Sequence, residues 1–382
     1  MRTPEATRRV GVIGAGIVGL AAAFELERRG IEYDIFEYGA PGGGQSGGES
    51  RIFRHGHDDP RLIELAARSR QLWAGWEQEF GVQLISLDGV VSIGPKSLRR
   101  LELMRSVDSD IAVEEIGPER LKEALPALAS YYGPSVMDEN GGAIRTRLSI
   151  ASLLERVSAF LIPVKVDAIE ILGNGQAAVR ASGIRRVYDA VLVCAGLGTD
   201  RLATLNEVAI PVQVEAQIRV TYPILPGQPG GMASIRDSSE RYAPGPVYGS
   251  PVRGDEFYSV GLTEGIEVSA NGLISWDRIQ RLSGLTDDWV RKSMPGLDPE
   301  RGEGLTCWLT RLPWAPDGLA IWQKGPTFHV VGNNLFKLAP VVAEKMVESA
   351  LEGSVPELLR PEARLGSPVP VRKSQSESES GI

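Results

Sequence analysis

RVGVIGAGIVGLAAAFELERRGIEYDIFE, residues 9–37, is the stretch that decides the fold. Its first five residues form an apolar run typical of a buried strand, and residues 33–37 form a second one. Between them, the Ala- and Leu-rich residues 17–29 predict a helix that Gly30 ends. The stretch therefore predicts a strand, a turn, a helix and a strand, in the order of a βαβ unit.

The turn of this unit carries three glycines at the spacing of a dinucleotide-binding motif. Gly14 permits the tight turn, Gly16 lets the backbone approach a pyrophosphate, and Gly19 lets helix and strand pack closely. The start of the helix offers free N–H groups and a positive dipole end to phosphates. Glu37, which ends the second strand, is placed to accept hydrogen bonds from an adenosine ribose. The alternative is a glycine-rich turn in a domain that binds no nucleotide.

Composition narrows the class of protein. The 382 residues suffice for two or three domains, and the 42% hydrophobic and 24% charged shares are ordinary for a globular chain. A net charge of −8 without a large basic cluster argues against nucleic-acid binding. The only cysteines, Cys194 and Cys307, form no disulfide framework, and three scattered histidines predict no metal site.

The N-terminal apolar stretch, residues 10–24, superficially resembles a secretory signal. Glycines interrupt it at spacings that a nucleotide-binding turn needs, Glu25 ends it, and it is too short to span a bilayer. We therefore expect a cytoplasmic protein with no membrane partner.

Downstream, strand and helix patterns alternate with turn-rich segments. Residues 41–48 are too glycine-rich for regular structure, residues 60–80 have helical periodicity, and residues 211–263 are strand-like. Residues 187–193 predict one apolar strand, and residues 340–351 predict a closing helix. The pattern indicates an α/β nucleotide domain interleaved with a mainly antiparallel second domain.

The choice between FAD and NAD depends on residues 42–50. This Gly/Ser run gives the backbone room to lie against a flat ring, and Arg51 and Arg54 follow it. Six segments then resemble the monomeric sarcosine oxidase and N-methyltryptophan oxidase family of D-amino-acid-oxidase-like flavoproteins. They are GESRIFRH (48–55), LAARSRQLW (65–73), GVVSIGP (89–95), CAG (194–196), RGEGLTCWLT (301–310) and LFK (335–337). The pairs Thr306-Cys307 and Phe336-Lys337 are most similar to the branch that oxidises cyclic imino acids in antibiotic biosynthesis.

The resemblance implies an α/β fold: a glutathione-reductase-type FAD-binding Rossmann domain with a second α+β domain on a large, mainly antiparallel sheet. The expected FAD-binding domain is discontinuous, comprising residues 1–85, 140–210 and 309–365. Residues 86–139 and 211–308 would form the substrate domain. Residues 366–382, which are rich in Ser, Glu and Pro, would be a disordered tail.

The resemblance also implies the site residues. Cys307 matches a cysteine bonded to the flavin 8α-methyl carbon, for which a thiolate is the reactive form; the alternative is a buried structural cysteine. Arg54 and Lys337 match side chains that hold the substrate carboxylate, Arg51 matches a residue beside the flavin ring, and Tyr248 matches an active-site tyrosine. The implied cofactor-binding set is Gly14, Gly16, Gly19, Glu37, Gly47, Gly48, Ser50, Arg51, Val166, Gly196, Cys307 and Lys337.

Four departures from the family pattern bear on the substrate and on the use of oxygen. Ser259 stands where sarcosine-type oxidases carry a lysine that speeds reaction with dioxygen. Gly47 and Thr263 replace two histidines, and the loop at residues 332–337 is shortened.

We therefore expect FAD-dependent oxidation of a C–N bond in an amino or imino acid, with a secondary or cyclic amine favoured and secondary metabolism as the setting. Hydride would pass to flavin N5, and oxygen would be the acceptor, giving hydrogen peroxide. The alternatives are a flavin dehydrogenase or tailoring enzyme with another acceptor, and a flavin-binding protein without turnover. An NAD-dependent dehydrogenase is disfavoured by the Gly-rich segment and Cys307. A monomer is plausible.

Overall fold

The computed structural model describes residues 8–252, 256–269 and 272–368 of the chain. Strands and short 3₁₀ turns alternate with helices along the whole of this length. In chain order, the strands are β1 (Arg9–Ile13), β2 (Glu32–Phe36), β3 (Ser50–Phe53), β4 (Val90–Ile93), β5 (Val113–Glu115), β6 (Ser135–Asp138), β7 (Gly142–Arg145), β8 (Leu161–Ile162), β9 (Ala168–Ile171), β10 (Ala177–Ala181), β11 (Ile184–Tyr188), β12 (Ala190–Val193), β13 (Gln213–Pro223), β14 (Ser234–Asp237), β15 (Val247–Val252), β16 (Phe257–Leu262), β17 (Ile266–Glu267), β18 (Glu303–Arg311), β19 (Leu319–Lys324) and β20 (Thr327–Gly332).

Eight α-helices lie among the strands of the described residues. They are α1 (Ile17–Arg28), α2 (Pro60–Phe80), α3 (Pro95–Ser106), α4 (Pro118–Ala124), α5 (Thr146–Val157), α6 (Thr199–Leu205), α7 (Trp276–Ser293) and α8 (Leu335–Glu352). The bounds of α2 follow from local chemistry: the Asp59 side chain accepts from the Arg61 N–H, Pro60 is the first helical residue, and Gly81 ends the helix in the left-handed region. None of the helices in these ranges is long and apolar enough to cross a membrane.

The predicted βαβ unit lies at the centre of a sheet with the order β19-β20-β12-β1-β2-β8. All neighbours in it are parallel except β19, which pairs antiparallel with β20. We call it the parallel sheet. One face packs against α1, α2 and α8 around a core that includes Leu20, Trp73 and Met346. The small sheet β9–β11 covers the other face through Tyr188 and Val179. A parallel sheet between helices and a small β-sheet is the layered arrangement expected of the predicted nucleotide domain.

A second sheet has the order β17-β13-β16-β15-β14-β4-β6-β5, with β18 also paired to β13. We call it the large sheet. Its pairs are antiparallel except β14 with β4. Helix α7 packs on one face through Trp289, whose indole N–H donates to Asp237 at 3.0 Å. The other face turns towards the parallel sheet, so the predicted fold class is confirmed.

The parallel sheet draws its strands from the segments predicted to bind FAD, and the large sheet draws its own from the predicted substrate segments plus residues 309–311. This distribution supports the two-domain division, which we retain as a proposal. In the segment expected to be a tail, Gly366 is buried and donates its N–H to Asp59 at 2.7 Å. Residues 369–382 lie outside the described residues.

Two elements differ from the sequence prediction. The single strand expected at residues 187–193 is interrupted at Asp189, whose carboxylate accepts from the Arg9 N–H at 2.8 Å, so that β11 and β12 belong to different sheets. The closing helix begins at Leu335 and not at Pro340. Pro340 sits within the second turn, where it has no N–H to donate to the carbonyl of Phe336. This earlier start places Lys337 on the first turn of α8.

Candidate active site

A cavity of about 990 Å³ runs between the carboxyl ends of the parallel strands and the facing surface of the large sheet. Its walls include Gly14 after β1, Glu37 after β2, Gly196 after β12 and Asn333 after β20. The carboxyl edge of a parallel sheet is where open α/β folds bind ligands. The predicted dinucleotide motif and the predicted substrate residues therefore open into one space.

At one end of the cavity, the glycine turn is so tight that side chains are excluded. Gly14 has a φ of +100°, and a Cβ there would lie 2.5 Å from the carbonyl oxygen of Cys194. A Cβ on Gly19 would lie 1.9 Å from the carbonyl oxygen of Gly14. Gly14 and Gly16 line the cavity, and Gly19 instead lets α1 pack on β1. The turn thus has the shape that a bound pyrophosphate requires.

Glu37 is fixed beside this turn. One carboxylate oxygen accepts from the Ala15 N–H at 2.9 Å, and the other accepts from the Gly39 N–H at 2.7 Å. The side chain lines the cavity next to Gly14. Its carboxylate is therefore held at the place where an adenosine ribose would be recognised.

The Gly-rich segment 41–48 connects this end to the catalytic end without regular structure, as predicted. Ser46 accepts from the Ile17 N–H at 2.9 Å, and Arg51 donates to the carbonyls of Gln45, at 3.2 Å, and Gly47. A Cβ on Gly48 would lie 2.9 Å from Nη1 of Arg51. The segment therefore wraps the Arg51 guanidinium with backbone.

Arg51 belongs to a cluster with Cys307, Tyr248 and Arg219. Burial, and then the charge of Arg219, lower the pKa of Arg51. Burial raises the pKa of Tyr248, and the nearby guanidinium of Arg219 opposes that rise. The Tyr248 hydroxyl donates to Gln217, the strand partner of Cys307, at 3.3 Å. The half-buried Cys307 thus lines the cavity in the same cluster as Arg51 and Tyr248.

Strand register places two arginines on either side of Tyr248. Tyr248 pairs with Arg236 of β14 on one side and with Gly261 of β16 on the other, and Gly261 pairs with Arg219 of β13. Paired residues share a face of the sheet, and all three side chains line the cavity. A Cβ on Gly261 would lie 2.8 Å from the Tyr248 hydroxyl, so the tyrosine ring covers this glycine. Arg219 lies over the ring, its Cζ 5.6 Å from the centroid.

On the opposite wall, Arg54 and His57 share the carboxylate of Asp317. Arg54 Nη2 lies 2.7 Å and His57 Nδ1 lies 2.9 Å from Oδ2 of Asp317. Burial alone would raise the pKa of Asp317, but Arg54 and Lys337 outweigh it and hold that pKa well below its usual value. Asp317 is therefore an anion that contacts both Arg54 and His57.

His57 is neutral in this setting. Burial, and then the charges of Lys337 and Arg54, lower its pKa well below the usual 6.5, against the opposing effect of Asp317. Since the Asp317 carboxylate accepts at Nδ1, the proton of the neutral ring is on Nδ1 and Nε2 keeps a lone pair. Nε2 has no hydrogen-bond partner within the described residues. The cavity wall thus contains a buried nitrogen that can accept a proton.

Lys337 is positioned by α2. Its carbonyl oxygen accepts from the Ser69 hydroxyl at 2.7 Å and from the Trp73 indole N–H at 2.9 Å. The side chain is 3% exposed and lines the cavity. Burial, and then the charge of Arg54, lower the pKa of Lys337 well below its usual value. An anionic ligand bound next to Lys337 would offset its repulsion by Arg54.

The structure brings most of the predicted residues to the cavity, but not all. Arg51, Arg54, Tyr248, Lys337, Cys307, Val166 and Gly196 line it, as do Gly14, Gly16 and Glu37. Gly47 and Gly48 lie behind Arg51, and Ser50 shares a buried 2.9 Å hydrogen bond with Ser250. Ser259 is also buried, accepts from the Thr221 hydroxyl at 3.2 Å and is absent from the cavity wall, whereas Thr263 is on it. Within the described residues, no group of three or more His, Cys, Asp or Glu side chains could hold a metal ion.

Sequence reasoning missed several residues of the wall, among them His57, Asp317, Arg219 and Arg236. Arg219 stands between the apolar Ile218 and Val220, which is a signal of a charge on a mostly buried strand, whereas Arg236 lies between Ile235 and Asp237 and has no such signal. Asp317 lies in a Pro-Asp-Gly turn before a buried strand, and His57 closely follows Arg54. Neither position indicates by itself that the two side chains meet.

Comparisons with known proteins agree with this geometry. The model of the FAD dependent oxidoreductase family, DAO, matches residues 9–349. A monomeric sarcosine oxidase of Streptomyces avermitilis is 29% identical over 382 residues, covering 91% of this chain and 94% of that protein. The peroxisomal sarcosine oxidase of Homo sapiens is 26% identical over 370 residues, covering 89% and 91%.

Among solved structures, NikD, described as an unusual amino acid oxidase essential for nikkomycin biosynthesis, has a similar fold. The TM-score is 0.77 at 18% identity, and the match covers 91% of this chain and 95% of NikD. The arrangement of layers in this chain is thus similar to that of NikD. Because the family model spans most of its length, this chain belongs to the family of FAD-dependent oxidoreductases.

Proposed function

We propose that the protein oxidises the C–N bond of a secondary or cyclic amino or imino acid. The observation that carries this proposal is that two cationic side chains, Lys337 and Arg54, lie next to a neutral His57. All three line the cavity that also contains the glycine turn. Cationic groups bind the carboxylate of such a substrate, and a neutral imidazole can take its ammonium proton. The names of the curated relatives, sarcosine oxidases, support the same substrate class.

The residues present fit FAD. The tight turn at Gly14 and Gly16 would hold the pyrophosphate, Glu37 would hold the ribose, and Arg51 with Cys307 would face the ring. When bound there, FAD supplies the two-electron acceptor for the hydride of the C–N carbon. The protein contributes orientation and charge.

Lys337 and Arg54 would fix the carboxylate. Arg54 keeps one side of its guanidinium on Asp317 and the Gly56 carbonyl, so its direction is set before the substrate arrives. Lys337, tied by its backbone to Ser69 and Trp73, lies beside Arg54. Because both cationic groups are held rigidly, they fix the orientation of the amine carbon. This lowers the entropy that must be lost to reach the transition state.

His57 would accept the ammonium proton through Nε2. Only a neutral amine can release its electron pair to the bond that forms between carbon and nitrogen, so a nearby acceptor aids the reaction. Asp317 holds the ring through Nδ1 and favours the imidazolium that results. Asp317 is thus a positioning residue for His57.

We further propose that Cys307 carries the covalent bond to the cofactor. Cys307 is half-buried in the same cluster as Arg51, whereas Cys194, which also borders the cavity, is only 8% exposed and packs in the core. Burial raises the pKa of the Cys194 thiol to about 12, which leaves it unreactive.

Dioxygen is the proposed electron acceptor, with hydrogen peroxide as the product. The alternative, another acceptor, is favoured by one observation: Ser259, aligned with the oxygen-activating lysine, is hydrogen-bonded to Thr221 away from the cavity wall. Arg219 is the cation on that part of the large sheet. One peroxide formed per substrate oxidised in air would support dioxygen; substrate-dependent flavin bleaching with slow reoxidation in air would support another acceptor.

We propose a cytoplasmic location, which the two free cysteines support, and a role in secondary metabolism, which the fold shared with NikD supports. We also propose a monomer.

The decisive experiment is an anaerobic screen of N-methyl and cyclic amino acids with the holoenzyme, followed by flavin absorbance. We expect bleaching by at least one secondary or cyclic amino acid, and none by the corresponding amines that lack a carboxylate. Lys337→Met should weaken apparent substrate binding, whereas Lys345→Met on the same helix should not, because Lys345 pairs with Glu348 outside the cavity. A flavin that no amino or imino acid bleaches would contradict the proposed function.

A further inference from the structure

The charges that line the cavity around Asp317 do not balance. Four basic side chains lie together there, Arg54, Arg100, Arg236 and Lys337, and two carboxylates face them. Arg54 pairs with Asp317 at 2.7 Å, and Arg100 pairs with Asp58 at 3.0 Å. Arg236 and Lys337 have no ion pair within the described part of the chain. The cavity thus holds two basic groups that Asp317 attracts but with which no carboxylate of the described residues forms an ion pair.

Arg236 is the clearest case of a basic group that lacks an ion-pair partner among the described residues. It projects from β14 between Ser92 and Tyr248, on the sheet face that lines the cavity. Nη1 is buried and, among the described residues, finds no hydrogen-bond partner. A buried guanidinium without a partner is costly, since it loses its hydration and gains nothing in return. An arrangement of this kind is stable when a ligand brings the missing anion.

The two unpaired groups come from different walls. Lys337 belongs to α8, beside Arg54 and His57, whereas Arg236 belongs to the large sheet, beside Arg100 and Tyr248. Burial, and then the charges of Arg54 and Arg100, lower the pKa of Arg236, so the repulsion is shared across the group. One monocarboxylate would leave one of the two without an anion.

We propose that the substrate carries a second acidic group, which Arg236 binds with help from Arg100, while Lys337 and Arg54 bind the carboxylate next to the amine. The substrate class is a secondary amine dicarboxylate. This inference rests on the proposed function, which it narrows from amino acids in general to acidic ones.

A matched pair of substrates tests it. N-methyl-L-glutamate and N-methyl-L-glutamine have nearly the same shape and differ in the charge of the distal group. With the holoenzyme under anaerobic conditions, the half-saturating concentration for flavin bleaching should be about 10-fold or more lower for N-methyl-L-glutamate, as expected for a charge-assisted contact. Arg236→Met should reduce this preference to about 2-fold or less, and Arg236→Lys should restore part of it.

Arg105→Met is the matched control, because Arg105 is an exposed arginine on α3, the helix that carries Arg100. It removes the same net charge from the protein and should keep the full preference. Equal half-saturating concentrations for the two substrates, or an equal loss for both in Arg236→Met, would overturn the second-acid site while leaving amine oxidation intact.

A binding measurement separates the two proposals if neither substrate bleaches the flavin. Calorimetry of the holoenzyme with glutarate and with its monoamide requires no turnover. Tighter binding of glutarate, lost in Arg236→Met, would support the anion pair even though amine oxidation had failed. Equal binding of the two compounds would refute it.

Discussion

Cys307 and Cys194 have the same type of side chain in different surroundings. Both border the cavity, but Cys307 is half-buried in a cluster with Arg51, whereas Cys194 is 8% exposed and packs in the core. In Cys307→Ser, the hydroxyl cannot form the thioether, so acid denaturation should release all flavin into the supernatant, while wild-type protein should keep its yellow colour in the pellet. Cys194→Ser should behave as wild type. Colour released equally from all three proteins would show that the flavin is not covalently bound.

His57 makes a prediction about pH. Its folded pKa lies below 6.5, so the neutral, proton-accepting form should persist to pH values below 6.5 and be lost as pH falls further. His57→Gln should slow anaerobic flavin bleaching by about 10²–10⁴-fold and remove this acid-side decline. His55→Gln is the control, since His55 pairs with Asp138 away from the cavity wall. An unchanged acid limb in His57→Gln would rule out the proposed role.

At the scale of the element, the packing of α1 on β1 depends on Gly19. A Cβ there would overlap the carbonyl of Gly14, a backbone atom that cannot rotate away. We expect Gly19→Ala to destabilise the fold by about 1–3 kcal/mol and to yield protein depleted of FAD, because the phosphate turn moves with Gly14.

Gly75 provides the matched control for this change. It lies within α2, and a Cβ at this position would meet no atom within 4 Å, so Gly75→Ala should be neutral or stabilise by about 0.5–1 kcal/mol. Urea unfolding and flavin-to-protein absorbance ratios measure both effects. Full FAD content in Gly19→Ala would contradict the assignment of this turn to the cofactor.

Elements whose ends are set by local chemistry were predictable from sequence. The helix at residues 60–80 agrees with α2 because Asp59, Pro60 and Gly81 fix its ends. The start of α8 was not predictable in this way: Asn334 adopts a left-handed conformation, and the first turn is held by hydrogen bonds from Ser69 and Trp73 of a distant helix. Sequence patterns do not contain such tertiary contacts.

At the scale of the whole molecule, the candidate site was likewise only partly predictable from the sequence. The glycine turn, Glu37 and the helix and strand between them lie within 30 residues, and their grouping followed from one motif. Arg54, Lys337 and Cys307 came from the family resemblance, which the comparisons confirm. Arg236 and Arg219 reach the cavity only through the register of the large sheet, and His57 meets Asp317 across 260 residues. Non-local pairing of this kind was not accessible from local sequence.

The stability of the whole molecule should depend on His329. This residue lies fully buried in β20, and burial lowers its pKa from 6.5 to about 4. The unfolded chain therefore binds a proton at a pH where the folded chain does not, so stability is fully present above about pH 6.5 and falls as pH drops towards 4. The shift corresponds to about 3 kcal/mol of unfolding free energy over that interval.

Replacing the imidazole by a group that does not titrate isolates this contribution. Nε2 of His329 contacts the Thr327 hydroxyl at 3.2 Å, a contact that the amide of His329→Gln can keep. Urea unfolding at several pH values should give a shallower decline between pH 6.5 and 4 for His329→Gln than for wild type, because other titrating groups are common to both proteins. Parallel curves for the two proteins would mean that His329 is protonated in the folded state as readily as in the unfolded chain. The buried position of His329 in the parallel sheet would then not disfavour the charged ring.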